Sequence, residues 1–415
     1  MENKKVMNRG LVVVGAILIQ LALGAIYAWS VFTPSLTSEG WAKADTQWVF
    51  AIGLASFAVF MVFSGKRLNT VGPQKLTILG GLILGLGYIL AGLFGGTNFT
   101  ALLLLIGLVG GAGIGIAYVV PIAVGMRWFP DKKGMITGLA VAGFGFGAML
   151  WVKLAGSWGH LIENMGLSTT FIIYGVAFAF MVIVGGMWMK FPPAGWKPEG
   201  YEADNAVTTE TKEEKEFTSG QMLGKVQFYL IFFTFVVSAG AGLMSIGLMK
   251  LYPMEALQAN GLTALEASAI AGTAMAVFFS LANGIGRIVW GMLSDKLGRK
   301  TSIIIMTATQ GILVIMFTYM AGSEILLYLG ATLIGFNFGG NFALFPTITA
   351  DTFGAKNVGQ NYPFVFLAYG VGGIAGPILG GMMGDIGNFP MAFTISGVAV
   401  LVGTVLMLMV KPAKK

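Results

Sequence analysis

The sequence predicts an all-α polytopic membrane protein of twelve transmembrane helices in two pseudo-symmetric sets of six, and three observations predict it. Hydrophobic residues make up 56% of the 415-residue chain and charged residues only 10%, where a soluble domain carries about 25% charged residues. Apolar stretches near the ~20 residues that a bilayer demands recur twelve times. A glycine-marked loop after the second stretch returns after the eighth. Gly accounts for 62 residues, about twice its usual share of ~7%, and small residues let helices approach closely in lipid. With no Cys and one His (His160), the chain offers no disulfide frame, no thiol redox chemistry and no zinc cluster. Neither an enzyme nor a cofactor is expected.

The stretches fall at 11–32, 46–64, 76–96, 100–126, 135–156, 169–189, 226–249, 266–293, 301–321, 325–349, 361–383 and 390–410. The first follows MENKKVMNRG and superficially resembles a signal peptide. Its apolar run is too long for an h-region and eleven spans follow, so it reads as a retained helix. Orientation comes from Lys and Arg. With the N-terminus in the cytoplasm, 21 of the 25 basic residues fall on the inner side. Only Lys43 and Lys250 lie in or beside outer loops, while Lys153 and Arg287 lie within spans. Both termini are expected in the cytoplasm, with the chain crossing the inner (plasma) membrane many times among its lipids. The net charge of +7 is spread over short loops with no basic arm, which argues against nucleic acid. A monomer is the expected unit.

One connection breaks the rhythm of short loops. Residues 191–225 are polar and of mixed charge, with Pro192, Pro193 and Pro198. They read as a solvated linker, or as a regulatory segment, between six-helix units at 1–190 and 226–415. The units echo each other. GKRLNTVGPQK at Gly65–Lys75 and GMLSDKLGRK at Gly291–Lys300 align Gly65 with Gly291 and Gly72 with Gly298 at one offset, 226 residues. Parallel repeats of this kind mark transporters that hold their substrate between the halves near the midplane.

The eighth span carries Arg287, ~12 Å inside the polar loop that follows it. A guanidinium at such depth costs roughly 2.5–3.5 kcal/mol on insertion scales. Every Asp and Glu falls in a loop or at a helix end, so no acid within a predicted span neutralises it. Arg does not deprotonate in proteins, which makes it a fixed anchor for an anion rather than a proton carrier. The alternative is an arginine held by carbonyls and water alone.

The twelve spans, the long central loop and the Gly291–Lys300 loop resemble the major facilitator superfamily. More specific are GIGIAY at Gly113–Tyr118, RWFPDKKG at Arg127–Gly134, GFGFG at Gly143–Gly147, QLALGAIYAWS at Gln20–Ser30, NFGGNFALFP at Asn337–Pro346 and Asn361-Tyr362. Together they resemble the oxalate/formate antiporter family, akin to monocarboxylate transporters. The resemblance implies alternating-access transport of small carboxylate anions, with Arg287 binding the carboxylate. It also implies a departure. Oxalate exchangers carry a second basic residue at the position of Tyr369, an amide at that of Ile26 and a tyrosine at that of Phe342. One cation in a more apolar wall suits a monoanion such as formate, acetate, lactate or pyruvate.

The substrate-binding set expected on these grounds is Arg287, Tyr27, Tyr118, Phe342, Tyr369, Trp29, Phe338, Phe366 and Asn283. Tyrosines would donate to carboxylate or hydroxyl oxygens and phenyl rings would set the size limit. Asn283, one turn before Arg287, would orient the guanidinium or glue helices together. Asn337 and Asn341 invite the same two readings. Lys153 either snorkels to the headgroups or adds a charge at the outer vestibule. Asp295, Lys296 and Arg299 look like the superfamily's conformational latch. His160 reads as incidental. The glycine runs 110–115 and 143–147 lie inside apolar spans with no strand before them, which excludes a dinucleotide loop; they read as helix-crossing points. Coupling by anion exchange and by proton symport both stay open, a proton riding on Lys153 or with the substrate. Rival readings are an oxalate or dicarboxylate exchanger, a cationic-drug exporter, which would need an intramembrane acid, and a carboxylate sensor without transport.

Overall fold

A computed structural model describes residues 7–41, 43–156, 158–193, 195–198 and 216–413. Among them twelve helices are long and apolar enough to cross a membrane. In chain order they are α1 (Arg9–Trp29), α2 (Trp48–Val71), α3 (Pro73–Gly95), α4 (Phe99–Trp128), α5 (Lys133–Ala155), α6 (Leu161–Gly186), α7 (Val226–Leu248), α8 (Ala264–Leu297), α9 (Arg299–Met320), α10 (Glu324–Phe353), α11 (Val358–Gly384) and α12 (Phe389–Met409). They match the predicted stretches in number and order. The differences lie at the ends: α2 continues past residue 64 to Val71 and α8 runs from Ala264 to Leu297. Polar final turns keep the helical ladder after hydropathy has stopped marking it. An even number of crossings puts Arg9 and Met409 on one face, the terminal face, opposite a far face.

Four spans leave regular α geometry for 3₁₀ or π turns, one of them at the end of α3, where Ala91–Gly95 is π-helical. Gly24–Val31 winds as a 3₁₀ helix at the end of α1. Leu103–Gly110 in α4 and Ala274–Phe279 in α8 are π-helical. Such loosened turns recur at functional positions. The 3₁₀ segment carries Tyr27 and Trp29, and the π segment of α8 ends two turns before Arg287.

Packing repeats six helices on. α1 lies against α5, α2 against α4 and α3 against α6, as α7 lies against α11, α8 against α10 and α9 against α12. The two bundles meet along α5–α8 and along α2–α11, a pair of seams related by the same step. Gly72 and Gly298 close α2 and α8 with matching backbone, φ 92° and ψ 148° against φ 85° and ψ 151°, in a region that glycine alone enters without strain. Gly65 and Gly291 mark the seams themselves. A Cβ on Gly65 would stand 2.3 Å from the Gly359 carbonyl oxygen, and one on Gly291 2.3 Å from that of Gly134. The run GFGFG serves the same end, with Gly143 and Gly147 set tightly against the backbone of α1 at Ile17 and Leu21.

Charge completes the closure of the terminal face. The Asp295 carboxylate on α8 accepts from the amides of Gly134 (2.9 Å) and Met135 (2.8 Å) at the first turn of α5. Those amides lack helical partners, and the helix dipole favours an anion beside them. Arg299 holds Asp295 at 2.6 Å and Asp351 at 3.0 Å, while Lys133 reaches Asp351 at 3.2 Å. Of the residues expected to form a latch, Asp295 and Arg299 lie in this cluster. Lys296 does not: it lies on the exposed side of the same turn, and Asp351 of α10 and Lys133 of α5 complete the cluster instead. At the other seam Arg127 donates to Asn69 (3.0 Å) and to the Lys356 carbonyl (2.6 Å).

The linker departs from a uniformly solvated strand. Phe191 lies 3.7 Å under the Arg127 guanidinium and Trp196 packs edge-on against Trp128. At the other end Glu216 accepts from the amides of Lys356 and Asn357, and Ser219–Leu223 forms a short helix. Aromatic and acidic residues at both ends therefore dock on the bundles, while 199–215 lie outside the described residues.

Two glycines of α8 separate stability from conformational balance. Gly286 faces α10 within one bundle, where an added Cβ would meet the Phe336 carbonyl oxygen at 2.0 Å. Gly286→Ala should lower the thermal midpoint by several degrees, the effect of overpacking by about 1–3 kcal/mol. Gly291→Ala, at the seam, should leave that midpoint nearly unchanged and loosen the terminal face. The chain lacks Cys, so an S294C reporter, buried beside Gly134, should then label faster with maleimide. Equal labelling with and without Gly291→Ala contradicts this account of the seam.

Candidate anion-binding site

Arg287 is completely buried where α8 crosses α5. Asn283 stands four residues earlier, on the same helix face, and its Oδ1 accepts from Arg287 Nε at 3.1 Å. This is the orienting contact expected from the spacing. Nη1 donates to the Val141 carbonyl oxygen on α5 at 2.9 Å, which carries the guanidinium across the seam between bundles. Glycine makes that reach possible. A Cβ at Gly138 would stand 2.3 Å from the Arg287 carbonyl oxygen, whereas one at Gly145 would make only ordinary contact with Nε at 3.6 Å. Nη2 has no partner. Among the described residues no carboxylate pairs with Arg287.

Aromatic rings wall the cation. Phe342 of α10 lies 4.1 Å from the guanidinium carbon and Phe144 of α5 5.7 Å, each offering the negative face of its ring. Phe144 meets Tyr27 and Tyr118 edge-on, Phe342 meets Tyr369 edge-on, and Phe366 lies between Tyr369 and Tyr118. The hydroxyls of Tyr27 and Tyr369 hydrogen-bond to each other across the bundles. Counted from the seam glycines Gly291 and Gly359, Arg287 stands ~6 Å and Tyr369 ~15 Å toward the far face. The tyrosine pair therefore covers the cation on its far-face side.

Two more hydroxyls point inward without partners, those of Tyr118 and Tyr362, both buried. Arg287 Nη2 and these two hydroxyls are buried donors without a partner among the described residues, and such groups are ordinarily answered by a ligand, ion or water. Gln20 belongs to the same neighbourhood: its Nε2 donates to the Tyr118 carbonyl at 3.2 Å and its Oε1 is unpartnered. Tyr362 and Gln20 both stand in the motifs singled out in the sequence, yet neither is in the expected binding set. Val141 enters through its carbonyl, which no side-chain pattern announces.

Other expected members lie elsewhere. Trp29 turns into the first bundle, where its indole donates to the Thr46 carbonyl at 2.8 Å and lies parallel to Phe171. Phe338 sits behind Phe342, against Phe279 and the backbone of Gly242. Ile26 faces Gly53 of α2. Asn337 accepts from Trp290 and Asn341 from Ser238, both inside the second bundle. Lys153 occupies the last turn of α5, twelve residues beyond Val141, ~18 Å along the helix. His160 hydrogen-bonds Glu163 at the exposed start of α6.

Twelve spans in two repeated bundles, closed over a buried cationic site at their junction, define a multi-pass membrane transporter. The chain belongs to the Major Facilitator Superfamily, whose pattern matches residues 12–279 and 253–415. It is 29% identical to the uncharacterized MFS-type transporter YhjX of Escherichia coli, over 88% of this chain and 86% of that one. It is 26% identical to the oxalate:formate antiporter of Oxalobacter formigenes, over 98% and 92%, and 26% to apicoplast pyruvate carrier 1 of Toxoplasma gondii, over 78% and 66%. The crystal structure of the transporter FucP in the outward conformation superposes with a TM-score of 0.67 at 16% identity, over 98% of this chain and 99% of that one.

Replacing a buried, incompletely answered charge by apolar volume is commonly neutral or stabilising by about 1–4 kcal/mol. Arg287→Met should therefore melt at or above the wild-type temperature in the absence of any anion, followed by tryptophan fluorescence. A large drop instead means that the bond to Val141 is structural rather than a vacancy in waiting.

Proposed function

We propose that the protein carries small monocarboxylates across the membrane by alternating access, with the carboxylate bound between Arg287 Nη2 and the hydroxyls of Tyr118 and Tyr362. The observation that carries this reading is the set of three buried donors with no acceptor, centred on a guanidinium that no acid neutralises, among the described residues. An acceptor of charge −1 answers all three at once through charge-assisted bonds. The names of the oxalate:formate antiporter and the pyruvate carrier support the same substrate class. The site holds one cation, and a dianion would bring a second, unmatched charge into a dry interior. That favours formate, acetate, lactate or pyruvate over oxalate. In this reading the terminal face is cytoplasmic, the membrane is the cell's inner membrane, and a monomer suffices.

The coupling follows from the same charge. A loaded site is neutral and an empty one is cationic, so the return of the empty carrier bears a penalty of roughly 2.5–3.5 kcal/mol. Exchange avoids that step. Proteoliposomes preloaded with lactate or formate should take up labelled anion about tenfold faster or more than empty ones, since each 1.4 kcal/mol is tenfold. Arg287→Ala should abolish uptake, and Tyr118→Phe or Tyr362→Phe should each weaken apparent affinity about tenfold, the worth of one hydrogen bond to a charged group. Uptake that ignores internal anion and follows a pH gradient rejects exchange in favour of symport. Competition by oxalate at micromolar concentration rejects the monoanion preference.

A further inference from the structure

A second cavity lies on the terminal face, well away from Arg287. It encloses about 650 Å³ beneath the ends of α10 and α12, and Lys133, Arg299, Lys300, Lys411, Asp351 and Glu216 all line it. Four cations thus face two carboxylates, and both carboxylates are already engaged. Asp351 is shared between Lys133 and Arg299, and Glu216 accepts the amides of Lys356 and Asn357. Arg299 is likewise filled by Asp295, Asp351 and Ser294. The lysines keep capacity. Lys300 Nζ spends two of its three donors on the carbonyls of Leu408 and Val410, both at 2.8 Å. Lys411 is exposed and forms no ion pair among the described residues. The cavity has the size of a small-ligand site, and its excess positive charge focuses anions into it.

We propose that this cavity is a separate anion site that takes a phosphate-bearing group between Lys133 on one bundle and Lys300 and Lys411 on the other, and that filling it holds the terminal face closed. Lys133 opens α5 in the first bundle; Lys300 and Lys411 belong to the second. A multivalent anion bonded to all three spans the α5–α8 seam beside the Asp295–Arg299–Asp351 cluster. Opening that face would pull one anchor from the others. Occupation therefore shifts the balance toward the closed state by the difference in affinity between the two states. A headgroup of an anionic phospholipid and a free phosphate compound offer the same chemistry, and basic pockets of this kind accept either.

The native absence of Cys allows a clean test with a T70C/K296C pair, both positions exposed on the terminal face and one on each bundle. Spin labels at the two sites report the separation of the bundles by pulsed dipolar spectroscopy. One arm uses phosphatidylcholine nanodiscs with added inorganic pyrophosphate; the other uses nanodiscs containing phosphatidylglycerol and no soluble phosphate. The short-distance population should grow in at least one arm, and the arm that responds names the source. Lys411→Gln should weaken the pyrophosphate response about tenfold, one charge-assisted contact, and K300Q/K411Q should remove it. If K300Q/K411Q fails to fold, Lys411→Gln alone decides. The response should persist in an Arg287→Met background, which separates this site from the transport site. No change in either arm, an unaltered response in Lys411→Gln, or loss of the response with Arg287→Met overturns the proposal.

Discussion

The bond from Arg287 Nη1 to the Val141 carbonyl is the contact that ties the one fully buried cation among the described residues of the second bundle to the first. It places a full positive charge of the second bundle on the backbone of the first, in an interior where only carbonyls, one amide and ring faces can answer it. A carbonyl oxygen is a partial charge, so the answer is incomplete, and Nη2 shows where. The protein thus meets the guanidinium with its own backbone. Glycine is the condition for this arrangement: any side chain at Gly138 would hold α5 and α8 apart and leave the guanidinium without even that partner.

The duplicated architecture repeats backbone more faithfully than charge. Gly72 and Gly298 share one conformation, and Gly65 and Gly291 share one role at the two seams. At the residue between each pair, offset by the same 226 positions, the halves diverge. Asp295 binds the open amides of α5 and Arg299, whereas Asn69 accepts a single bond from Arg127. One seam is therefore fastened by ion pairs and a helix terminus, the other by neutral acceptors and by linker residues packed around Arg127. Packing needs symmetry; the strength of a latch does not.

Much of this was legible in the sequence. Hydropathy gave twelve spans because the bilayer sets both length and polarity, and the repeated glycines gave the pseudo-symmetry because only backbone approach explains their spacing. Arg287 and Asn283 could be paired because four residues bring side chains together on a helix. Azimuth across bundles was not legible. Trp29, Phe338 and Tyr118 are all aromatic residues inside spans, yet Trp29 turns into the first bundle and Phe338 packs behind Phe342, while Tyr118 meets Phe144 and Phe366 at the junction. Tyr362 was visible in its motif without a sign of its direction. Asp351 lies 52 residues from Arg299 in the chain, and only the fold brings the two together. The Val141 acceptor has no side-chain signature at all.

Two closures of unequal strength flank the buried cation. On the terminal side stand the Asp295 cap, three ion pairs around Arg299 and Lys133, and two glycine seams. Toward the far face the bundles are joined by the hydroxyls of Tyr27 and Tyr369 and by the close packing of Phe146 against Gly284, where a neutral hydrogen bond contributes only about 0.5–1.5 kcal/mol. The terminal side is thus fastened by charge and the far side by neutral contacts. In the carboxylate reading proposed above, an anion bound at Arg287 would give the guanidinium the full counter-charge that the Val141 carbonyl supplies only in part. The cross-bundle bond would then be the contact that loading relieves, and a single guanidinium beside a glycine-bared carbonyl would tie occupancy to opening.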